Sequence, residues 1–489
     1  MPTNKIDSNL TGLRYADETS LGVVPGGAVW KPLEPNSYGD FGGSTAVTAR
    51  NTLNASRQRK KGVVTSKDSK GAFELDLTLD NMYDLLQGFM FADWRKKGEL
   101  FPTAVAAGSY TVAANGTLFR ANDLLVGSGF GVAANNGVKI VTAAAAGSVT
   151  ATGAVLEAGP PAIAQIDRIG HQFAAGDATL TITAGVAALV TTTKNLTELG
   201  LIPGEWVWLG GDQAAEQFVN AVNRGFARVD TIAANKITFS KTSNVFVADA
   251  GTAKTVRIFI GDVLKNESDP TLIKTRSYHL ERSLSSAGYE YVKGAVPNEL
   301  SIKLSAEDKV TVNLNFIGTD SETAAFGAQK AGTRPALTSS SVAFNTSSDF
   351  SRLRLDKVDN TGLASFLAEA SVEIKNGVTP LKALGKLGSF DVSLGDFMVA
   401  ASVTAYFNDI AAVDAVNANV DTSLDFALCT RNTAMLFDMP LLSIGASKLQ
   451  VAKDAPIKLP LAIDAAAHAT LDHTLLVNSF GYLPTIAEA

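Results

Sequence analysis

One cysteine, four histidines and four tryptophans in 489 residues leave little material for redox or metal chemistry. Cys429 alone cannot close an internal disulfide, so the fold is expected not to depend on an oxidising compartment. In a stretch read as a strand and without an obvious histidine partner, it reads as a buried structural thiol rather than a nucleophile. His171, His279, His468 and His473 are scattered, and the last two lack the helical spacing of a ligand pair, so no metal site is expected. A basic excess is also missing. The formal net charge of −6 argues against a dedicated nucleic-acid binder, which needs cations to neutralise phosphates. Long apolar runs are absent: none approaches the roughly 20 residues of a membrane span, so no membrane anchor is expected. The polar start Met1-Pro2-Thr3-Asn4-Lys5 lacks the apolar segment of a signal peptide, which points to folding in a cytoplasm. Catalytic constellations are missing too. Glu307 and Asp308 are adjacent in a turn, where they signal solvation rather than acid–base work. The stretch Gly127-Ser128-Gly129-Phe130-Gly131 has no following Lys-Ser/Thr or helix and reads as a turn, not a phosphate loop. Neither catalysis nor a cofactor is expected.

With 46% hydrophobic and 18% charged residues, the chain is globular, and its length implies two to four domains. Residues up to about Asn51 are rich in Gly, Pro and Ser, which suggests an extended arm docked through Trp30, Tyr38 and Phe41. The basic run Arg57-Gln58-Arg59-Lys60-Lys61 has no interleaved aromatic to stack a base and reads as a solvated loop before a strand. Phe73, Leu75, Leu77 and Leu79 then alternate with polar residues, the mark of a half-buried strand. Asp80 stands where an N-cap belongs, and Met82, Leu85, Leu86, Phe89 and Met90 form the apolar stripe of a helix. From about Leu100 to Gly261 the composition turns to Ala, Gly, Val and Thr, read as short strands. Within it, Asn135 to Thr150 resembles Asn223 to Thr238 over the same length, which suggests two small β modules. Leu300, Ile302, Leu304 and then Val310, Val312, Leu314, Phe316 alternate as a hairpin, and a Ser/Thr/Gly/Ala-rich stretch from about Asp320 to Ser348 reads as linker.

The end of the chain repeats these motifs in order. Ala401, Val403, Ala405 and Phe407 alternate like Phe73 to Leu79, Asn408 stands in the place of Asp80, and Ile410 and Val413 stand for Met82 and Leu85. Leu449 and Val451 match Ile302 and Leu304, and Ile457, Leu459, Leu461 and Ile463 match Val310 to Phe316, with the same turn length. The expected fold is therefore mainly β, with two tandem domains of one helix each and small β modules inserted in the first. The boundaries are 1–95 for the first part of domain one with its arm, 96–265 for the insert, 266–330 for the rest of domain one, 331–348 for a linker, and 349–489 for domain two. A surface insertion costs little closure entropy, so its deletion is expected to leave assembly intact.

Several stretches together resemble the major tail tube proteins of long non-contractile-tailed bacteriophages. They are Arg57 to Gly62, Gly71-Ala72-Phe73-Glu74-Leu75-Asp76-Leu77-Thr78, Leu85 to Asp93, Arg276-Ser277-Tyr278-His279-Leu280-Glu281-Arg282, and Gly294 to Leu300. The resemblance covers the chain outside the inserted modules. It implies β-sandwich or barrel domains of the tail-tube type, whose inner sheets join into a continuous barrel around a lumen. It also implies rings that stack with the help of a long loop and a terminal arm, and a virion tail location. Its implied partners are other copies of the chain, the tape measure, tail terminator and tail tip proteins, and DNA in transit without sequence-specific binding. Because closed rings need repeated head-to-tail interfaces, a two-domain chain is expected to form a homotrimer with pseudo-hexameric symmetry. The small polar residues Thr311, Asn313, Asn315, Ser402 and Thr404 are the expected lumen or assembly face. A surface-displayed carbohydrate-binding or adhesive β-protein, with the insert as binder, is the alternative reading.

Overall fold

The computed structural model describes residues 5–53, 57–337, 342–357, 362–364, 367–407, 410–445 and 448–487. The protein is mainly β and its sheets are antiparallel. Seventeen strands form one continuous network. In chain order they are β1 (Gly12–Asp17), β2 (Lys31–Leu33), β3 (Pro35–Arg50), β4 (Lys60–Asp76), β5 (Asp262–Lys265), β6 (Tyr278–Ser283), β7 (Tyr289–Ser305), β8 (Thr311–Gly318) and β9 (Asp320–Ala324). There follow β10 (Phe350–Lys357), β11 (Gly362–Ala364), β12 (Leu367–Lys375), β13 (Met398–Tyr406), β14 (Thr422–Thr430), β15 (Thr433–Gly445), β16 (Lys458–Ala465) and β17 (Leu476–Phe480). Helix α1 (Leu79–Met90) follows β4, and α2 (Ile410–Asn417) follows β13.

The pairings run in two parallel series. In the first, β2 pairs β1, β1 pairs β6, β6 pairs β7, β7 pairs both β9 and β8, β8 pairs β4, and β4 pairs β3. In the second, β11 pairs β10, β10 pairs β14, β14 pairs β15, β15 pairs both β17 and β16, β16 pairs β13, and β13 pairs β12. In each series one long strand, β7 or β15, crosses from an outer sheet into an inner one. The two inner sheets join edge to edge through β7 and β12. The result is an eight-stranded sheet in the order β3-β4-β8-β7-β12-β13-β16-β15.

The alternation seen in the sequence sets the two faces of this sheet. Phe73, Leu75, Leu300, Ile302, Val312, Leu314 and Phe316 point into the core with Val372, Val403, Leu459 and Leu461. There they meet α1, through Met82, Leu85, Leu86 and Phe89, and the outer strands. The helix starts two residues earlier than the sequence suggests. Its N-cap is Thr78, whose hydroxyl accepts from the Asn81 amide at 3.3 Å while the Asn81 side chain accepts from the Thr78 amide at 3.2 Å. Asp80 instead lies in the first turn, where a carboxylate suits the helix dipole. Leu79 belongs to the helix, not to the strand. Asn408, its expected counterpart, lies outside the described residues, as does the side chain of Ile410.

Cross-strand partners also correct the expected alignment of the two series. The Leu77 amide bonds Val310 O at 2.8 Å, and the Phe407 amide bonds Ile457 O at 3.0 Å. Phe73 therefore corresponds to Val403 and Leu75 to Ala405, two residues from the sequence match, because a period-two alternation fits equally well at any even shift. The N-terminal stretch, expected to have few elements, supplies β1, β2 and the whole of β3. Lys60 and Lys61 of the basic run open β4 instead of lying in a loop. The stretch read as linker begins with β9 and is tied down further on, where Trp30 N donates to Thr333 O and Arg334 pairs Glu281.

Candidate assembly surfaces

The polar face of the eight-stranded sheet collects all five residues singled out from the sequence. Antiparallel partners share a face, so the pairings can be read as rows. One row runs Asp76, Thr311, Lys303, Ser371, Ser402, Ala462. The next runs Glu74, Asn313, Ser301, Glu373, Ala400, Asp464. Asn315 stands between Ala72 and Glu299, which faces Lys375, and Thr404 stands beside Glu369. Asn313 and Ser402 are exposed, Thr311 and Asn315 half-buried, and Thr404 buried. The Thr404 hydroxyl donates to Glu369 at 2.9 Å, and Asn315 donates to Glu299 at 3.3 Å. These rows carry Glu74, Asp76, Glu299, Glu369, Glu373 and Asp464 against Lys303 and Lys375, and the same face adds Lys70 on β4 and Lys458 on β16, so it stays acidic by a small margin and holds no arginine among the described residues. Sequence reasoning found the small polar residues through their alternation with core residues. It missed the carboxylates of β12 because that strand was not assigned.

The sheet ends in two strand edges, β3 on one side and the inner part of β15 on the other, neither paired further among the described residues. The β15 side differs sharply from its counterpart. Ile302 and Leu304 are 1% and 4% exposed, whereas Leu449 and Val451, which the Gln450–Lys458 bridge places in equivalent positions, are 36% and 72% exposed. The difference has a local cause: β7 is flanked by β12, whereas no strand among the described residues pairs the outer side of Leu449 to Val451. On the β3 edge, Tyr38 and Phe41 pack against each other at 5.8 Å with the Arg282 guanidinium over both rings.

The insert is not a loosely attached decoration. Its strands again form two parallel series. Ala104–Ala106, Ser109–Thr111, Ser148–Ala151, Gly137–Ala145, Asp123–Ser128 and Gln165–Gln172 pair in that order. Thr179–Thr183, Val186–Val190, Lys236–Thr242, Gly225–Ala233, Trp206–Leu209 and Arg257–Phe259 repeat the order, and the last strands of the two series pair with each other. Each series holds a buried asparagine in the same role. Asn135 Oδ1 accepts from the Val155 amide at 2.8 Å and its amide group donates to Glu157 at 2.8 Å; Asn223 does the same with Val247, at 2.8 Å, and Asp249, at 3.3 Å.

One face of the insert merges with the outer sheet of the second series. Leu124, Ile169, Trp206, Trp208, Phe226 and Phe259 share a core with Ala427, Cys429, Ala434, Leu436 and Phe480. Arg228 reaches the buried carboxylate of Asp438 at 3.2 Å, with both side chains almost wholly buried. Arg352 pairs Asp425 and lies 4.9 Å from the Trp206 ring centre. Strand β5, at the end of the insert, pairs β17 of the second series. At the same junction His473 is enclosed beside Gly204, and burial holds its imidazole down at about 3. Asp167, under the other end of the insert, is pushed up to about 7 by burial and by the nearby Glu99 carboxylate. Removing the insert would bare an apolar sheet face and leave Asp438 without Arg228.

Among the described residues no group of three or more His, Cys, Asp or Glu side chains is placed to hold a metal ion. In comparison with known proteins, the family described as phage tail tube protein matches residues 8–465. No curated protein matches the chain.

Proposed function

The chain belongs to the phage tail tube protein family, a family of structural tail components, and from that premise we propose that it builds the tube by closing its eight-stranded sheet head to tail. Two copies of one domain, the first split by the insert, give each chain two equivalent inner sheets. The observation that carries the reading is the β7–β12 junction, where the last inner strand of one series pairs the first inner strand of the next. The same joint between chains sets β15 of one copy against β3 of the following copy. Transferring the register is direct. Ile302 faces Val372 and Leu304 faces Ala370 within the chain. Their equivalents across the joint are Leu449 with Phe41 and Val451 with Tyr38, which would bury apolar side chains now exposed. Three chains of two domains then close a pseudo-hexameric ring, and stacked rings enclose a conduit.

In such a ring the acidic row face, with Thr311, Asn313, Asn315, Ser402 and Thr404 among its carboxylates, lines the lumen. Like charge keeps a passing DNA from sticking, and the absence of arginine removes the side chain best suited to gripping phosphate. Tape measure, terminator and tip proteins are the further partners of a tube so built, in a tail assembled in the host cytoplasm. Electron microscopy of the purified chain, with averaged end-on views, tests this reading. Hollow rings with three outward protrusions support it, and discrete monomers at every concentration contradict it.

A further inference from the structure

We propose that Arg282 and Glu290 guard the β3 edge, so that it accepts only a correctly seated strand of another copy of the chain; this rests on the ring reading above. The two series can be matched residue by residue here. Strand β6 pairs β7 at Tyr278–Ala295 and, past one register shift, at Leu280–Val292. Strand β14 pairs β15 at Thr422–Leu442 and, past the same shift, at Leu424–Met439. Arg282 opposite Glu290 therefore stands where Phe426 stands opposite Phe437. The inner edges differ in the opposite sense. Tyr38 and Phe41 on β3 face Phe73 and Gly71, whereas their counterparts on β12, Ala370 and Val372, face Val403 and Ala401.

The difference follows which edge the chain covers by itself. Strand β12 is closed by β7, and its domain carries two stacked phenylalanines at this position, 4.8 Å apart and fully buried. Strand β3 is open among the described residues, and its domain carries an ion pair there, with the side chains 20% and 19% exposed. The Arg282 guanidinium lies 5.1 Å from the Tyr38 ring centre and 4.5 Å from that of Phe41, and its Nη2 donates to Phe41 O at 3.4 Å and to Glu290. A side chain at position 42 would run into the Glu290 carboxylate, so Gly42 gives the pair its room. The Arg282 Nε–H is buried and has no acceptor among the described residues. An ion pair is a poor filling for a closed core, because both charges must leave water. At an edge that meets water before assembly it has a use, since an inward-pointing charge opposes indiscriminate strand pairing. A strand that arrives out of register meets the charges without covering the aromatic rings. Leu449 and Val451, in the register of Ile302 and Leu304, cover Phe41 and Tyr38, and the apolar gain offsets the desolvation of the pair. The pair thus makes the joint selective rather than tight.

Two full-length variants test this, with folding read by circular dichroism. Arg282→Met with Glu290→Gln removes both charges at nearly constant volume, and Arg282→Lys keeps the cation. Should the first not fold, Arg282→Gln with Glu290→Gln takes its place. Sedimentation velocity and electron microscopy read the concentration at which the chain assembles and the fraction found in closed rings. The neutral variant is expected to assemble at a concentration about tenfold lower than the unaltered chain, and to form open chains and aggregates beside the rings. Arg282→Lys is expected to stay within about threefold of the unaltered chain. A folded neutral variant with the same threshold and the same rings would overturn the guard and leave the ring reading standing. A folded neutral variant that no longer assembles would also overturn it, because the pair would then hold the joint instead of guarding it. An unaltered chain that forms no rings contradicts the ring reading and the guard together.

Discussion

Arg228 and Asp438 show why single residues at the insert junction carry so much. Both side chains are almost wholly buried, and each is the other's ion-pair partner across two parts of the chain. Removing one leaves a charge uncompensated inside the protein, which typically costs about 3–5 kcal/mol. Arg228→Ala is therefore expected to lower stability by that amount in chemical denaturation, whereas an exposed pair such as Lys5–Asp7 should contribute little. His473 sets a pH dependence at the same junction. Its folded pKa, held at about 3, lies below that of an exposed imidazole. Its contribution is fully present above about pH 6.5 and is lost as the pH falls toward 3, by up to about 1.4 kcal/mol per unit. Asp167 has the opposite sign: raised to about 7, it favours the fold below about pH 4 and loses that contribution as the pH rises through 7. His473→Gln should flatten the fall in unfolding midpoint between pH 6.5 and 4.5, and an unchanged slope would show that the junction does not feel this residue.

At the scale of elements, α1 was legible and its start was not. The stripe Met82, Leu85, Leu86, Phe89 and Met90 gives the helix, and all five are buried. The cap was misplaced because Thr78 and Asp80 are both good N-cap residues, and the choice between them is made by Asn81, which completes the capping box only with Thr78. Thr78→Ala is expected to cost about 1 kcal/mol in thermal or chemical unfolding, with Asp80→Ala costing less. The strands of the inner sheet were legible where one face is buried, as in β4, β8, β13 and β16. Strand β12 escaped notice because its polar positions, Glu369, Ser371, Glu373 and Lys375, alternate with the small Ala370 and with only two large apolar residues, Val372 and Ile374. Strand β3 was hidden for a related reason. Its Gly, Ser and Thr content suits turns, and pairing with β4, not side-chain burial, holds most of it in place.

For the whole molecule, the two series of pairings and the insert answer different questions. The inner sheet is repeated, so its order could be anticipated from two motifs recurring in one order. The seat of the insert could not, because contacts such as Trp206 with Asn478, at 3.1 Å, join residues 272 positions apart and leave no periodic trace. Deleting residues 100–261 with a short linker is expected to destabilise the second series by several kcal/mol. The deletion bares Ala427, Cys429, Leu436 and Phe480, each large apolar side chain of which is stabilised by ~1.5–3 kcal/mol on burial. Normal expression and melting of that variant would show that the shared core matters less than its composition implies.

The central claim is that β15 of one chain pairs β3 of the next in the register of β7 and β12. Opposed residues of antiparallel strands have Cα atoms about 4.5–5.5 Å apart, within reach of a disulfide. The most direct measurement is therefore oxidative cross-linking of the full-length chain carrying Leu449→Cys and Phe41→Cys, followed by denaturing electrophoresis without reductant. The account predicts linked dimers and trimers, with the ladder stopping at three chains and each variant carrying only one of the two added cysteines unlinked, because the native Cys429 is buried. A chain that assembles but yields no linked species, or a ladder that runs on past three, would contradict it.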